Sequence, residues 1–296
     1  MPLIMTEAFK FNAQPMPDPK SEAVRTLTQL FPDEINGLFV GSEPIWSEDE
    51  GGRYLGTEEN PRLCLMSALC DGDEYSPPNG VRLIGPMALA GYGFRARRVS
   101  LGRSIEYLSP RALAHCPTLT EADISVGAKA LPEGLLDGCY GLRLLRIGEG
   151  VREIGEDVIE GCLSLTELTL PTTLQSAKPW GVSLSHNIRL NSYNGGLYLG
   201  NGENPYFLLY ATEVDFADTG AIHPECRIIG PEAFVGCCDK LRRLTVPSTV
   251  EHICPYALNF CEELRELSIA PLTVIHTPVL SEGAKFDLPT VTDPIG

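Results

Sequence analysis

The segment IGPEAFVGCCDKLRRLTV, residues 229–246, decides the fold because near-copies of it recur along the chain. IGEDVIEGCLSLTELTL occupies residues 154–170, and ICPYALNFCEELRELSI occupies residues 253–269. Self-similarity at a fixed period is typical of repeat architectures, in which each unit buries its apolar face against its neighbours. The sequence therefore predicts a solenoid built from units of roughly 23 residues.

The apolar residue that opens each copy gives the number of units. Consecutive openings are 22 to 24 residues apart, except for one step of 52 residues that contains an insertion. Eight units exceed the roughly three that a solenoid needs for stability. The opening residues are Ile84, Leu108, Leu131, Ile154, Ala177, Ile229, Ile253 and Ile275.

The pattern within a unit predicts a strand, a turn and a short helix. Leu244 and Val246 alternate with the two-residue period of a strand. Proline stands two residues after several unit openings, as Pro86 and Pro231 do, and its fixed φ suits the first turn of a helix.

The insertion has a twin near the amino terminus. GGRYLGTEENPRLCL, residues 51–65, matches GGLYLGNGENPYFLL, residues 195–209. Aromatic and aliphatic runs on either side of an Asn-Pro turn predict a β-hairpin. The chain is thus interpreted as a first block at 51–190 with five repeats and a second block at 191–280 with three repeats.

The two ends of the chain lie outside this tandem. Residues 1–50 form an acidic segment, and residues 281–296 form a tail. Within the former, residues 21–40 are predicted to supply an amino-terminal cap. Its short helix would begin at Ser21 and carry an apolar side. That side consists of Ala23, Val24, Leu27 and Leu30.

Five of the ten cysteines occupy one equivalent position in five repeats, which predicts an interior ladder of small buried side chains. They are Cys116, Cys139, Cys162, Cys237 and Cys261. Oxidised pairs are the alternative.

The remaining cysteines contain no CxxC pair of the kind that begins a zinc site. His223 with Cys226 has ligand-like spacing, and His252 with Cys254 could act as base and thiol, although no third group orients either pair. We therefore predict no enzyme, no cofactor and no metal. The alternative is a thiol-dependent hydrolase or metal-binding protein that uses Cys226 or Cys254.

The unit resembles that of the BspA-like leucine-rich-repeat family, most closely in IGPEAFVGCCDKLRRLTVP, residues 229–247. The resemblance covers about residues 51 to 280. It implies a leucine-rich-repeat solenoid, α/β or mainly β, that is curved and right-handed. Short parallel strands would line its concave face, with short helices or turns on the convex face. Family members are typically adhesins or interaction proteins, often exported, rather than enzymes.

Charge and hydropathy limit the partners and the location. A net charge of −16 would repel nucleic-acid phosphates and anionic lipid surfaces. No stretch approaches the roughly 18 apolar residues of a membrane helix. The start MPLIMTEAFKFNAQPMPDPK lacks the basic and apolar regions of a signal peptide, which predicts a cytoplasmic protein. A secreted or cell-surface location is the alternative if the chain is a processed form.

Stacked strands present their outward side chains as a ribbon, which solenoid proteins commonly use for binding. We predict that this ribbon, with Tyr198, Tyr206 and Phe207 of the second hairpin, binds a protein or glycan. Alternatively, neighbouring strands only pair these charges with each other, as Asp123 could with Arg146, or the chain is a structural, self-associating protein. The candidate ribbon residues are Arg98, Ser100, Glu121, Asp123, Leu144, Arg146, Glu167, Thr169, Arg189, Arg243, Thr245, Glu266 and Ser268.

Overall fold

The computed structural model describes residues 19–39, 42–91, 93–178, 181, 187–278 and 291–292. Residues 1–18 of the acidic segment and most of the tail at 281–296 lie outside the described residues. Within those ranges the longest helix has 12 residues, and none is long and apolar enough to cross a bilayer.

The secondary structure consists mainly of short strands. The helices are α1 Pro19–Leu30, α2 Glu34–Leu38 and α3 Phe216–Thr219, with a 3-10 helix at Val235–Cys237. The strands are β1 Ile45–Asp49, β2 Gly52–Gly56, β3 Cys64–Ala68, β4 Glu74–Tyr75, β5 Leu83–Ile84, β6 Arg98–Leu101, β7 Tyr107–Leu108, β8 Glu121–Ile124, β9 Ala130–Leu131, β10 Leu144–Ile147, β11 Glu153–Ile154, β12 Glu167–Thr169, β13 Ser176–Ala177, β14 Asn191–Tyr193, β15 Gly196–Leu199, β16 Leu208–Thr212, β17 Ile228–Ile229, β18 Arg243–Thr245, β19 His252–Ile253, β20 Glu266–Ser268, β21 Val274–Ile275 and β22 Val291–Thr292.

These strands form the solenoid that the repeat predicts, with about nine turns. Most units contribute a strand of three or four residues to one sheet and a strand of two residues to another. The unit opening is the second residue of the two-residue strand, so that Ile154 pairs in parallel with Leu131 and Ala177. The sequence pattern did not predict this second strand, because two residues are too few to show alternation.

The short helix predicted after each proline is wrong in most of the described units, where turns take its place; the unit that opens at Ile229 has the 3-10 helix Val235–Cys237. Pro86 and Pro110 are followed by Met87 and Arg111, whose φ values are 56° and 57°. Proline at the second position and positive φ at the third are typical of a type II turn. The left-handed backbone directs the N–H to the next unit, as when Arg111 N donates to Glu133 O at 3.0 Å. The turns therefore form a hydrogen-bonded ladder along this side of the solenoid.

Both predicted hairpins are present, and each gains one strand. β1, β2 and β3 form an antiparallel meander, as do β14, β15 and β16. The last strand of each meander pairs in parallel with a two-residue strand further along the chain, β3 with β5 and β16 with β17. The meanders are thereby continuous with the solenoid sheets.

Helices α1 and α2 cover the outer face of the first meander sheet. Leu27 of α1 is completely buried in one hydrophobic cluster with Leu55, Cys64 and Leu83. Two details of the predicted cap are wrong. Ser21 lies inside α1 rather than at its N-cap, and Leu30 is exposed.

The second meander presents an equivalent face, which the first block covers. Leu199 and Leu208 correspond to Leu55 and Cys64 at the constant offset of 144 residues. Both are buried in the same cluster as the first block's Leu174. The contact also includes the backbone N–H of Ala177, which donates to Cys254 Sγ at 3.3 Å.

Candidate partner-binding surface

The first ribbon segment is formed by the outward residues of β4, β6, β8, β10 and β12, which are neighbours in one sheet. The parallel register places Arg98, Glu121, Leu144 and Glu167 in one row. Ser100, Asp123, Arg146 and Thr169 form the second row. Eight of the predicted ribbon residues are therefore brought together.

Side chains alternate along these strands as the sequence pattern predicts. In β6, Arg98 and Ser100 are exposed, whereas Val99 and Leu101 are buried. A similar alternation holds in β18, where Leu244 is buried between two exposed residues. The period of two therefore separates an apolar inner row from a polar outer row.

The second ribbon segment is formed by the outward residues of β18 and β20, and β22 continues its sheet. Arg243 pairs with Glu266, and Thr245 pairs with Ser268. An isolated bridge from Ala221 to Thr245 extends the segment on its other side. The remaining four strand residues of the predicted ribbon lie here.

The ribbon is interrupted, and Arg189 does not belong to it. β12 and β18 lie in different sheets. Arg189 is exposed but precedes β14, outside both ribbon segments. The insertion is the physical reason, because the degenerate fifth unit runs directly into the second meander and supplies no long strand among the described residues.

The first ribbon segment pairs its own arginines with acids. Arg98 Nε donates to Glu74 Oε1 at 3.0 Å, and Arg146 Nη1 lies 4.0 Å from Asp123 Oδ2. The Asp123 and Arg146 pair is the one that the sequence had suggested. Exposed pairs of this kind contribute little to stability, because solvent and salt screen them. Glu74, which lies 24 residues before Arg98, was missed, although the repeat spacing alone could have found it.

Both segments border concave surfaces. A hollow of about 330 Å³ lies over the first segment, where Arg98, Asp123 and Arg146 contribute to its lining. A larger hollow of about 900 Å³ lies over the second segment, where Arg243, Glu266 and Ser268 contribute. Sequence reasoning missed Arg265, which also lines the larger hollow, because Arg265 precedes the strand and falls outside the alternating pattern.

The hairpin aromatics predicted to join the ribbon are mostly core residues. Tyr198 is completely buried, and its hydroxyl accepts a hydrogen bond from His223 N at 2.9 Å. Phe207 is also buried. Tyr206 is half-buried and stacks on the ring of His223, with centroids 3.6 Å apart. The binding role predicted for Tyr198 and Phe207 is therefore wrong, because both faces of the meander sheet are covered.

The five repeat cysteines are free and buried as the ladder predicts. In the first block each thiol reaches back one unit. Cys116, Cys139 and Cys162 donate to Leu89 O, Leu113 O and Leu136 O at 3.0, 3.2 and 3.4 Å. A thiol is a small apolar side chain with a weak donor, which suits this position better than an aliphatic residue would.

The two thiols suggested for catalysis are buried as well. Burial raises the pKa of both Cys226 and Cys254 to about 12, which opposes thiolate formation at neutral pH. His252 Nδ1 lies 3.2 Å from His276 Nε2, and His223 Nδ1 accepts a hydrogen bond from Glu225 N. Within the described ranges no three His, Cys, Asp or Glu residues are grouped to hold a metal ion.

Several solved bacterial structures are similar to this chain. A leucine-rich repeat protein from Eubacterium ventriosum is 16% identical, with a TM-score of 0.40, over 50% of this chain and 45% of that one. A leucine rich cell surface protein from Faecalibacterium prausnitzii is 12% identical, with a TM-score of 0.37, over 79% and 91%. A leucine-rich repeat protein from Bacteroides ovatus is 15% identical, with a TM-score of 0.31, over 80% and 90%. No curated protein matches the chain.

The family comparison covers more than half of the sequence. The model of the BspA type leucine rich repeat region matches six copies, at residues 69–188 and 219–285. These ranges contain the repeated strands and turns described above. The chain therefore belongs to the BspA-type leucine-rich repeat family.

Proposed function

We propose that this protein is a non-catalytic binding module that contacts a protein or glycan partner through its two ribbon segments. The observation that carries the proposal is that the outward residues of both segments line hollows, of about 330 and 900 Å³. Concave surfaces with polar side chains on a rigid sheet are suited to recognition, because the side chains are held in fixed register.

Burial and charge support the same proposal. The inward residues of the ribbon strands fill the core, so the outward residues can change without disturbing the fold. Both signs of charge occur on the surface, which favours a polar partner with mixed charges over a uniform polyanion. The buried thiols offer no accessible nucleophile at Cys226 or Cys254.

Charge reversal on the ribbon tests the proposal. The variant carries Arg146→Glu, Glu167→Arg and Arg243→Glu, all at exposed positions. Immobilised protein would be incubated with extract of the source cells, retained molecules identified by mass spectrometry, and the affinity of the main one measured. We expect the variant to bind at least about tenfold more weakly, since few side chains dominate most interfaces.

A matched control carries the same charge changes away from the ribbon. Arg103→Glu, Glu160→Arg and Arg152→Glu alter exposed residues outside the ribbon strands. This control should bind like the unmodified protein. Equal binding by the ribbon variant and the unmodified protein would show that the partner uses another surface.

A further inference from the structure

We propose that the hollow over the second ribbon segment binds an acidic segment of a partner protein, whose carboxylates form ion pairs with the arginines of the hollow. This inference rests on the proposed function and specifies the partner of one segment. The hollow lies between residues 220–222 and the strands β18 and β20. An adjoining hollow of about 490 Å³ shares Arg243 and Arg265 and adds Lys240 and Arg242.

The cations here are paired differently from those in the first segment. Arg98 and Arg146 have acidic partners on neighbouring strands. By contrast, the described part of the chain places no acidic group within 4.0 Å of Lys240, Arg242 or Arg243. All three side chains are exposed.

Arg265 is partly committed to its own surroundings. Its Nη1 donates to Glu262 O at 2.7 Å, and its Nη2 lies 3.4 Å from Glu263 Oε2. Arg265 therefore acts as a fixed wall of the hollow. Arg242 and Arg243, by contrast, form no ion pair with any residue that the structure describes.

The positive charge of Lys240, Arg242 and Arg243 contrasts with the negative net charge of the whole chain. The chain carries a net charge of −16, yet among the described residues no acid forms an ion pair with these three side chains. Neighbouring like charges repel each other, and a bound anion would remove that repulsion. A guanidinium presents a planar fork of donors that matches the two oxygens of a carboxylate.

Two acidic residues in the same hollows limit which anionic ligands can bind there. Glu266 lies beside Arg243 in the sheet register, and Asp218 lines the adjoining hollow. They would repel a densely charged polymer such as a sulfated glycan. A peptide whose carboxylates alternate with uncharged residues can place its acids on the arginines and avoid Glu266 and Asp218.

Fluorescence anisotropy with a labelled peptide of alternating Glu and Ala residues tests the inference. We expect saturable binding to the full chain that weakens with salt, and a loss of about tenfold or more in Arg242→Gln/Arg243→Gln. The matched control is Arg97→Gln/Arg103→Gln, which removes the same charge from exposed sites outside the hollow. Circular dichroism would confirm that both variants fold.

Each outcome decides the inference. Loss of peptide binding only in Arg242→Gln/Arg243→Gln supports it. Equal loss in the control would show that only the overall charge of the protein matters. If the peptide does not bind at all, the hollow does not take an acidic segment. If only a sulfated oligosaccharide binds, the ligand of the hollow is a polyanion. Those three results overturn the inference, whereas the proposed function fails separately if ribbon charge reversal leaves partner binding unchanged.

Discussion

Left-handed backbone at non-glycine residues is the recurring local feature of this chain. Met87, Arg111, Asp157, Glu232 and Tyr256 occupy the third position after their unit openings, and all have φ between 53° and 59°. A left-handed conformation costs an L-residue about 1 to 2 kcal/mol. Glu232 N donates to Tyr256 O at 3.2 Å, which shows that the conformation directs an amide to the next unit. Hydrogen bonds between units therefore offset the local strain.

Two glycines in open space allow the conformational cost to be measured alone. Neither Gly91 nor Gly102 has an atom within 4 Å of an added Cβ, but only Gly91 has positive φ, at 83°. We expect Gly91→Ala to lower the free energy of unfolding by about 1 kcal/mol. Gly102→Ala should raise it by up to about 1 kcal/mol, because alanine restricts the unfolded chain. Urea unfolding measures both, and equal effects would contradict the role of φ.

The elements that surround the repeats show how a solenoid sheet is protected from solvent. α1 and α2 lie on a face that would otherwise expose Leu55, Leu63 and Leu83. Only one side of α1 packs there. Leu27 is 0% exposed, whereas Leu30, three residues later, is 38% exposed. The helix therefore contributes stability through a few apolar side chains.

A matched pair of substitutions on α1 tests this packing. Leu27→Ala should lower the free energy of unfolding by about 2 to 5 kcal/mol, because it leaves a cavity between helix and sheet. Leu30→Ala should change the free energy of unfolding by less than about 0.5 kcal/mol, since substitutions at the surface usually have small effects on stability. Thermal unfolding followed by circular dichroism gives both values. Similar losses in the two variants would mean that α1 packs differently.

The repeat period of the sequence predicted the features that recur once in each unit. The eight unit openings and the outward ribbon residues of the long strands follow directly from the spacing of apolar residues. The turn ladder carried no such signal, because Arg111 and Glu232 adopt positive φ without the glycine that usually marks it. Phe207 resembled an exposed hairpin aromatic because residues of the first block cover it, whereas Tyr198 is buried in the core of the second block itself.

At the scale of the whole molecule, the two blocks share one apolar contact. Leu199 and Leu208 of the second meander are buried with Leu170 and Leu174 of the first block. The backbone of Ala177 also reaches Cys254. Neither block can lose the other without exposing this face, so the whole chain should unfold cooperatively.

Removing the first block tests this dependence. The fragment 191–296 would expose Leu199, Phe207, Leu208 and Ile228, which are all at most 5% exposed in the intact chain. We expect this fragment to associate or aggregate as its concentration rises, because a contiguous apolar patch is a site of association. Sedimentation velocity would detect the association. A fragment that stays folded and monomeric would show that the second block needs no cover.

The contact that covers the second meander could also join further blocks to a chain of this type. The last turn of one block covers the meander of the next block, so a third block could pack on the second through the same kind of contact. At the carboxyl end, Leu272, Val274 and Ile275 are 92%, 49% and 39% exposed on and beside β21. The meander of a further block could cover Leu272 as the second meander covers Leu174.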